Sequence, residues 1–259
     1  MSSEGTLHRI PARPWRWLPW LVASQMVVIL AWVLAGWQWG LPLLVASHAL
    51  FMVPVFLPNS CFYAPVLARL PKAGNTVWLT IDDGPSQETG AVLDLLDRHQ
   101  ARATFFLVGA RALAQPELVQ EILRRGHDLG NHSLSHPQAR FWRLGPAAMH
   151  AEIEGCQHAL QALSGQPVRW YRSVVGMTNP FVAPVLQRLG LVRVGWSARG
   201  YDGVDCTPDG VLARLLPDLR PGAIVLLHEG AAHGHNLEII ERVLQALDER
   251  GLKAELPPG

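Results

Sequence analysis

From Asn75 onward the sequence predicts an α/β domain, a distorted and incomplete (β/α) barrel of parallel strands, preceded by an N-terminal transmembrane helical hairpin. Three observations carry this reading. Apolar strand-like runs alternate with helical patterns, the order that β-α-β crossovers produce. Ala223-Ile224-Val225-Leu226-Leu227 is apolar at every position, as in a strand covered on both faces. About six or seven such units occupy about 185 residues, too few for a closed eightfold barrel.

Composition divides the chain. Hydrophobic residues make up 49% and charged residues 17%, but no Asp, Glu, Lys or Arg occurs from Trp17 to Ala68. From Lys72 onward the mix is that of a soluble domain. A net charge of +1, with no long basic run beyond the first residues, argues against a nucleic-acid partner. Cys61, Cys156 and Cys206 are odd in number and widely spaced. They read as small apolar side chains rather than a disulfide framework or a zinc site.

Residues 1–16 form a basic arm with His8, Arg9, Arg13 and Arg16. Trp17 to Trp37 and Leu41 to Leu57 are apolar stretches of roughly the ~20 residues a span requires. Trp15, Trp17 and Trp20 at one end, and Trp37 and Trp39 at the other, resemble interfacial aromatic belts. The turn is expected at Gln38-Trp39-Gly40, with Pro42 near the start of the second helix. A cleaved signal peptide would have a shorter apolar core. One span followed by an interfacial segment is the competing reading. Arginines before the first segment, Arg69 and Lys72 after the second, and an uncharged turn favour both ends on the cytoplasmic face of the inner membrane. A single span would put the domain outside. Residues 17–57 are thus expected to hold two transmembrane segments, 58–73 a proline-punctuated linker and 74–259 the catalytic domain.

Within the domain, Val77–Ile81 reads as a buried strand. Glu88–His99 follows as a helix with Val92, Leu95 and Leu96 on one face. Ala103–Val108 is a strand, and Pro116–Arg125 a helix opened by its proline. A short strand at Asp128–Gly130 precedes the long helix Pro146–Leu163, ended by Ser164-Gly165. Val168–Tyr171 and Leu191–Trp196 are strands on either side of a helix, Phe181–Leu189. Val211–Leu219 is helical, with Asp205 and Asp209 as its expected caps. Ala223–Leu227 is a strand and Leu237–Arg250 the last helix. Glu152, Glu154 and Glu241 have exposed helical spacing. Arg140, Trp142, Arg143, His233 and His235 read as loop residues.

In such folds chemistry gathers at the carboxyl ends of strands. Asp82 and Asp83 follow the first strand. On their own they also suit an Asx turn or a helix cap, and in strand geometry their side chains diverge, so they need not do one job. His132 and His136 follow the third strand, four residues apart. On a helical turn both would reach one cation. Arg172, Asp202 and His228-Glu229 follow three further strands. Two histidines and a carboxylate with open positions make a catalytic ligand set for zinc or a related divalent ion.

Thr80-Ile81-Asp82-Asp83-Gly84-Pro85, His132-Ser133-Leu134-Ser135-His136, Arg172 to Gly176, Trp196 to Asp202 and Leu226-Leu227-His228 resemble the five ordered motifs of the polysaccharide deacetylases, the NodB-homology enzymes of carbohydrate esterase family four. The resemblance covers residues 74–255. It implies a divalent metal, zinc first, on Asp83, His132 and His136. It implies Asp82 as general base with Arg172 as its ion-pair partner, and His228 as general acid oriented by Asp202. The implied reaction removes an N-acyl group, acetyl first, from an amino sugar of a polysaccharide or lipid-linked glycan. A lipid-linked aminosugar deformylase and a membrane-tethered carbohydrate-binding pseudoenzyme are the alternatives. The Val175 N–H is an expected oxyanion donor. Two motifs depart from the family pattern. Arg172-Ser173-Val174-Val175-Gly176 lacks the usual proline and aromatic residue, and Asp202-Gly203 replaces Asp-Trp. The second wall is then missing or supplied by Tyr201 or Trp142, and the substrate is expected to differ from a simple extended polymer.

Overall fold

The computed structural model describes residues 9–71, 74–204 and 206–258. His8, Lys72 and Asp205, read above as basic-arm, flanking and capping residues, lie outside them.

Two long apolar helices lead the chain, α1 (Leu18–Ala35) and α2 (Trp37–Met52), the second continued by a 3-10 turn at Val53–Phe56. Both are long and apolar enough to cross a membrane. The turn lies at Gly36 rather than at Gln38-Trp39-Gly40. Gly36 takes φ 86, a conformation that costs a residue without Cβ little. Pro42 consequently sits inside α2. Between the two helices the Gln25 amide donates to Ser47 Oγ at 3.1 Å, a polar stitch of the kind that joins helices in an apolar medium.

The domain is an open, curled sheet of parallel strands in the order β5-β4-β3-β2-β1-β7-β6. These are β1 (Thr76–Gly84), β2 (Ala103–Leu107), β3 (Asp128–Asn131), β4 (Trp170–Tyr171), β5 (Val192–Arg193), β6 (Ala198–Arg199) and β7 (Ile224–His228). β8 (Lys253–Ala254) pairs beside the start of β1. Around the sheet run α3 (Thr89–Arg98), α4 (Gly109–Ala114), α5 (Pro116–Arg124), α6 (Pro146–Ser164), α7 (Val182–Leu189), α8 (Pro208–Leu215) and α9 (Asn236–Glu249). The apolar alternation explains the layers. Val77, Leu79 and Ile81 of β1 face the helices, with Phe105 and Leu107 of β2 and Val225 and Leu227 of β7. Trp78, Phe106, Trp170 and Ile224 face inward and fill the barrel floor. By the same alternation Thr80 and Asp82 stand above Trp78 on the inner face.

Several elements differ from the sequence expectation. The strand at Leu191–Trp196 is confined to Val192–Arg193, and a separate strand, β6, precedes Asp202. α4 and β8 are additional. Asp209 does not cap α8: Thr207 does, its hydroxyl accepting from Gly210 N at 3.3 Å, while Asp209 pairs with Arg242. The stretch read as a linker is fastened to the barrel. Leu67 bridges Val194, Arg69 bridges Ala223, and Leu67 and Leu70 pack into the floor. Arg193, fully buried, donates to the carbonyls of Pro58 and Ser60. The segment thereby covers the gap between the sheet edges at β5 and β6.

Candidate active site

β1 ends in a bulge. Asp82 pairs with Phe106 of β2 and Gly84 with Leu107, which leaves Asp83 as the extra residue, at φ 72. A bulge re-aims a side chain. Neighbouring carboxylates that would diverge on a regular strand therefore line the same cavity. Asp tolerates this left-handed conformation better than most residues. Gly84 is required beyond the bulge, because a Cβ there would lie 2.0 Å from the Glu229 carboxylate. That carboxylate accepts from Ser86 and Thr89 and fixes the turn into α3.

His132 and His136 meet without a helix. Ser133 and His136 take φ 69 and 52, and the loop is pinned from α6, the Glu152 carboxylate accepting from Ser135 N at 2.9 Å. Glu152 is thus no simple surface residue. The ring nitrogens His132 Nε2 and His136 Nε2 lie 3.4 Å and 3.1 Å from Asp83 Oδ1. His132 Nδ1 donates to the Arg172 carbonyl at 2.9 Å, which turns Nε2 inward. The three ligand atoms of Asp83, His132 and His136 lie within 4.8 Å of one another. Asp83 Oδ1 is buried and accepts no hydrogen bond. A buried carboxylate oxygen without a donor, facing two imidazoles, fits a divalent cation. Burial raises the Asp83 carboxyl, but the neighbouring His132, His136 and His228 rings outweigh it and hold the group below the usual carboxylate range. Burial, then the neighbouring His132, lowers His136 to about 4, so it presents a neutral lone pair.

Arg172 is buried at the centre. Its guanidinium donates to Asp82 Oδ1 and Thr80 Oγ1, both at 2.7 Å, and to the Gly195 carbonyl at 2.9 Å. It rests 4.2 Å above the Phe106 ring. Its fork leaves Asp82 one oxygen, Oδ2, toward the cavity, 3.7 Å from His132 Nε2. Across the cavity, buried Asp202 grips His228 twice, through the ring Nδ1 at 3.1 Å and the backbone N at 2.7 Å. Nε2 of His228 is the nitrogen left for a ligand. Burial opposes a proton on His228, but Asp202 outweighs it and raises the ring to about 9.

The structure brings all seven sequence-predicted residues to one end of the sheet. Tyr201 lines the cavity, whereas Trp142 packs on Phe56 at the end of the hairpin. Val175 lines it at φ 53, a strained conformation for a β-branched residue and of the kind that clusters at functional sites. His233 and His235 stay in a loop outside the ligand cluster, although His233 Nε2 reaches the Asp202 carbonyl at 2.7 Å. Sequence reasoning gave no role to Thr80, Trp196 and Arg199, although all three fall within quoted motifs. Thr80 opens the first motif and is an inward position two residues before Asp82. Trp196 and Arg199 lie in the motif that ends at Asp202, where only Asp202 and Tyr201 were singled out.

The polysaccharide deacetylase family profile matches residues 69–194. A chitooligosaccharide deacetylase from Bradyrhizobium is 33% identical over 70% of this chain and 83% of its own length. The peptidoglycan-N-acetylglucosamine deacetylase PgdA of Listeria monocytogenes is 31% identical over 73% of this chain and 40% of its own. Among solved structures, a family 4 carbohydrate esterase from Streptomyces lividans in complex with acetate superposes with a TM-score of 0.64, at 32% identity over 71% of this chain and 93% of that one. A family pseudoenzyme from Bacillus anthracis superposes as well, at 0.65, with 25% identity over 73% and 66%. With its motifs, its curled parallel sheet and a relative matched over most of its length, the chain belongs to the polysaccharide deacetylase family, the NodB-homology group of carbohydrate esterase family four.

Proposed function

We propose that this chain is a metal-dependent N-deacetylase of an amino sugar in a glycan or glycolipid. One observation carries the reading: the unsatisfied Asp83 oxygen faces two imidazoles between a carboxylate held by Arg172 and an imidazole held by Asp202. Pure carbohydrate binding needs neither of those last two groups, which favours a catalyst over a pseudoenzyme.

Asp83, His132 and His136 would hold the cation, zinc first, which when bound polarises a carbonyl and acidifies water. Asp82 takes the proton of the attacking water at Oδ2, while Arg172 holds the carboxylate oriented through Oδ1. His228 carries a proton at neutral pH and gives it from Nε2 to the departing amine. Asp202 holds that ring in register. Val175, strained at the cavity rim, is the proposed backbone donor to the oxyanion. Trp196 and Tyr201 supply apolar walls for the sugar.

The hairpin is proposed to cross the cytoplasmic membrane, with the domain docked at its foot. The backbone N of Thr178 donates to the Val55 carbonyl at 2.9 Å, and Trp17 packs on Tyr63.

The test is acetate release by the full-length protein from N-acetylchitooligosaccharide and from amphiphilic N-acetylglucosamine derivatives. A chelator should abolish release from any accepted substrate, and added zinc should restore it. Chelator-insensitive turnover would refute the metal assignment.

A further inference from the structure

The catalytic cavity continues away from the ligand cluster. Val175, Trp196, Arg199 and Tyr201 line it and also line a second cavity, whose opposite wall is Phe56, Leu57, Pro58 and Asn59. That wall is the foot of the apolar hairpin. One groove therefore joins the reacting centre to the end of the two membrane-length helices, and Phe56, Leu57, Val175 and Tyr201 expose apolar surface along it.

A single guanidinium stands at the junction. Arg199 lies 4.9 Å from the Trp196 ring and 4.4 Å from the Tyr201 ring. Among the described residues no carboxylate pairs with it, and its Nε is buried without a hydrogen-bond acceptor. Arg172 and Arg193 differ: their buried donors are used on carboxylate, hydroxyl and carbonyl oxygens. A guanidinium fixed between aromatic faces, with unused donors, suits a multivalent oxyanion such as phosphate. The groove's charge and its continuity with the hairpin together select the ligand.

We propose that the substrate is an amphiphile: an N-acylated amino sugar joined through a phosphate to an apolar chain. The phosphate sits on Arg199, and the chain runs along Phe56 and Leu57 toward the membrane. Arg199 then determines specificity without touching the reacting amide. This rests on the deacetylase reading above.

The test uses the full-length protein in detergent micelles, loaded with zinc, and follows acetate release from three probes. These are N-acetylchitotetraose, N-acetylglucosamine 1-phosphate, and the same sugar phosphate esterified to a farnesyl chain. The farnesyl phosphate sugar should show the highest kcat/KM, by about tenfold or more over either other probe. Arg199→Gln should lower that value by about 10- to 100-fold, mostly through KM, as expected for one lost charge-assisted interaction. Arg199→Lys should recover part of it, and the loss on N-acetylchitotetraose should be at least tenfold smaller. Equal turnover of the sugar phosphate with and without the chain would overturn the lipid assignment. Equal losses on neutral and phosphorylated probes, or a preference for the neutral glycan, would overturn the role of Arg199 while leaving the deacetylase intact. Failure to release acetate from all three would instead strike the deacetylase reading itself. The comparison of probes on the unmodified chain stands even if Arg199→Gln folds poorly.

Discussion

Asp82 and Asp83 are adjacent in sequence and held by different partners, and the β1 bulge is the reason. The inward alternation through Trp78 and Thr80 delivers Asp82 to Arg172, whereas Asp83 reaches the imidazoles only because its backbone leaves the strand conformation. Asp82→Asn should therefore keep bound metal while kcat falls by about 10²- to 10⁴-fold, the range of a lost general base. His132→Ala should lose the metal itself. Metal content and acetate release on the same samples separate the two, and full activity in Asp82→Asn would place the base elsewhere. His228 gives a second prediction. Its raised pKa of about 9 means the donating form is present below that pH and is lost as pH rises through it. The alkaline limb of kcat should move to lower pH in Asp202→Asn, because the charge that raises the ring is removed. An unmoved limb would assign it to another group. That the seven candidate residues gather was legible because each lies at or beyond the carboxyl end of a strand and their types suit one reaction. The bulge was not, since a regular strand sends neighbours to opposite faces. Arg199 was not either, because nothing in the sequence of a two-residue strand shows that its guanidinium Nε finds no acceptor among the described residues.

At the scale of elements, long periodic segments were readable and two-residue strands were not. α6 and α9 follow the sequence reading to within a residue or so, because each presents an apolar stripe to the sheet. β4, β5, β6 and β8 each hold only two residues, too few for any period, and their pairing is decided by neighbours in space. The His132–His136 loop shows the same limit. Spacing suggested a helical turn, but the loop is set by Glu152 of α6, a contact across 17 residues. Glu152→Ala should loosen both imidazoles and lower zinc affinity by about tenfold, at the low end of the loss from removing support behind metal ligands. Glu152→Gln, which keeps acceptor capacity for Ser135, should recover much of it. Equal affinities in all three proteins would show that the loop holds its shape without this residue.

At the scale of the whole molecule, the parallel barrel was legible from alternation alone, but the docking of the hairpin was not. The charge-free stretch, read as two spans and the start of a linker, also lies against a sheet edge and the catalytic groove. Those contacts bind the domain to one end of the hairpin, so under the proposed membrane crossing the domain and its groove lie on one and the same face. α1 measures about 27 Å, close to the apolar thickness of a bilayer. Arg9, Arg13, Arg16 and Arg69 flank the two helices at the domain end, and the Gly36 turn carries no charge. The excess of positive charge at that end favours the cytoplasmic face. Alkaline phosphatase, active only outside the cytoplasmic membrane, should then be inactive when fused after Gly259, while a cytoplasmic reporter at the same position should be active. Moving the arginines is the sharper arm. Replacing Arg9, Arg13 and Arg16 by Gln and adding lysines beside Trp37 should raise the phosphatase signal if charge sets the orientation. An active phosphatase fusion on the unaltered chain would reverse the topology and put the groove, with its apolar wall and Arg199, on the outer face.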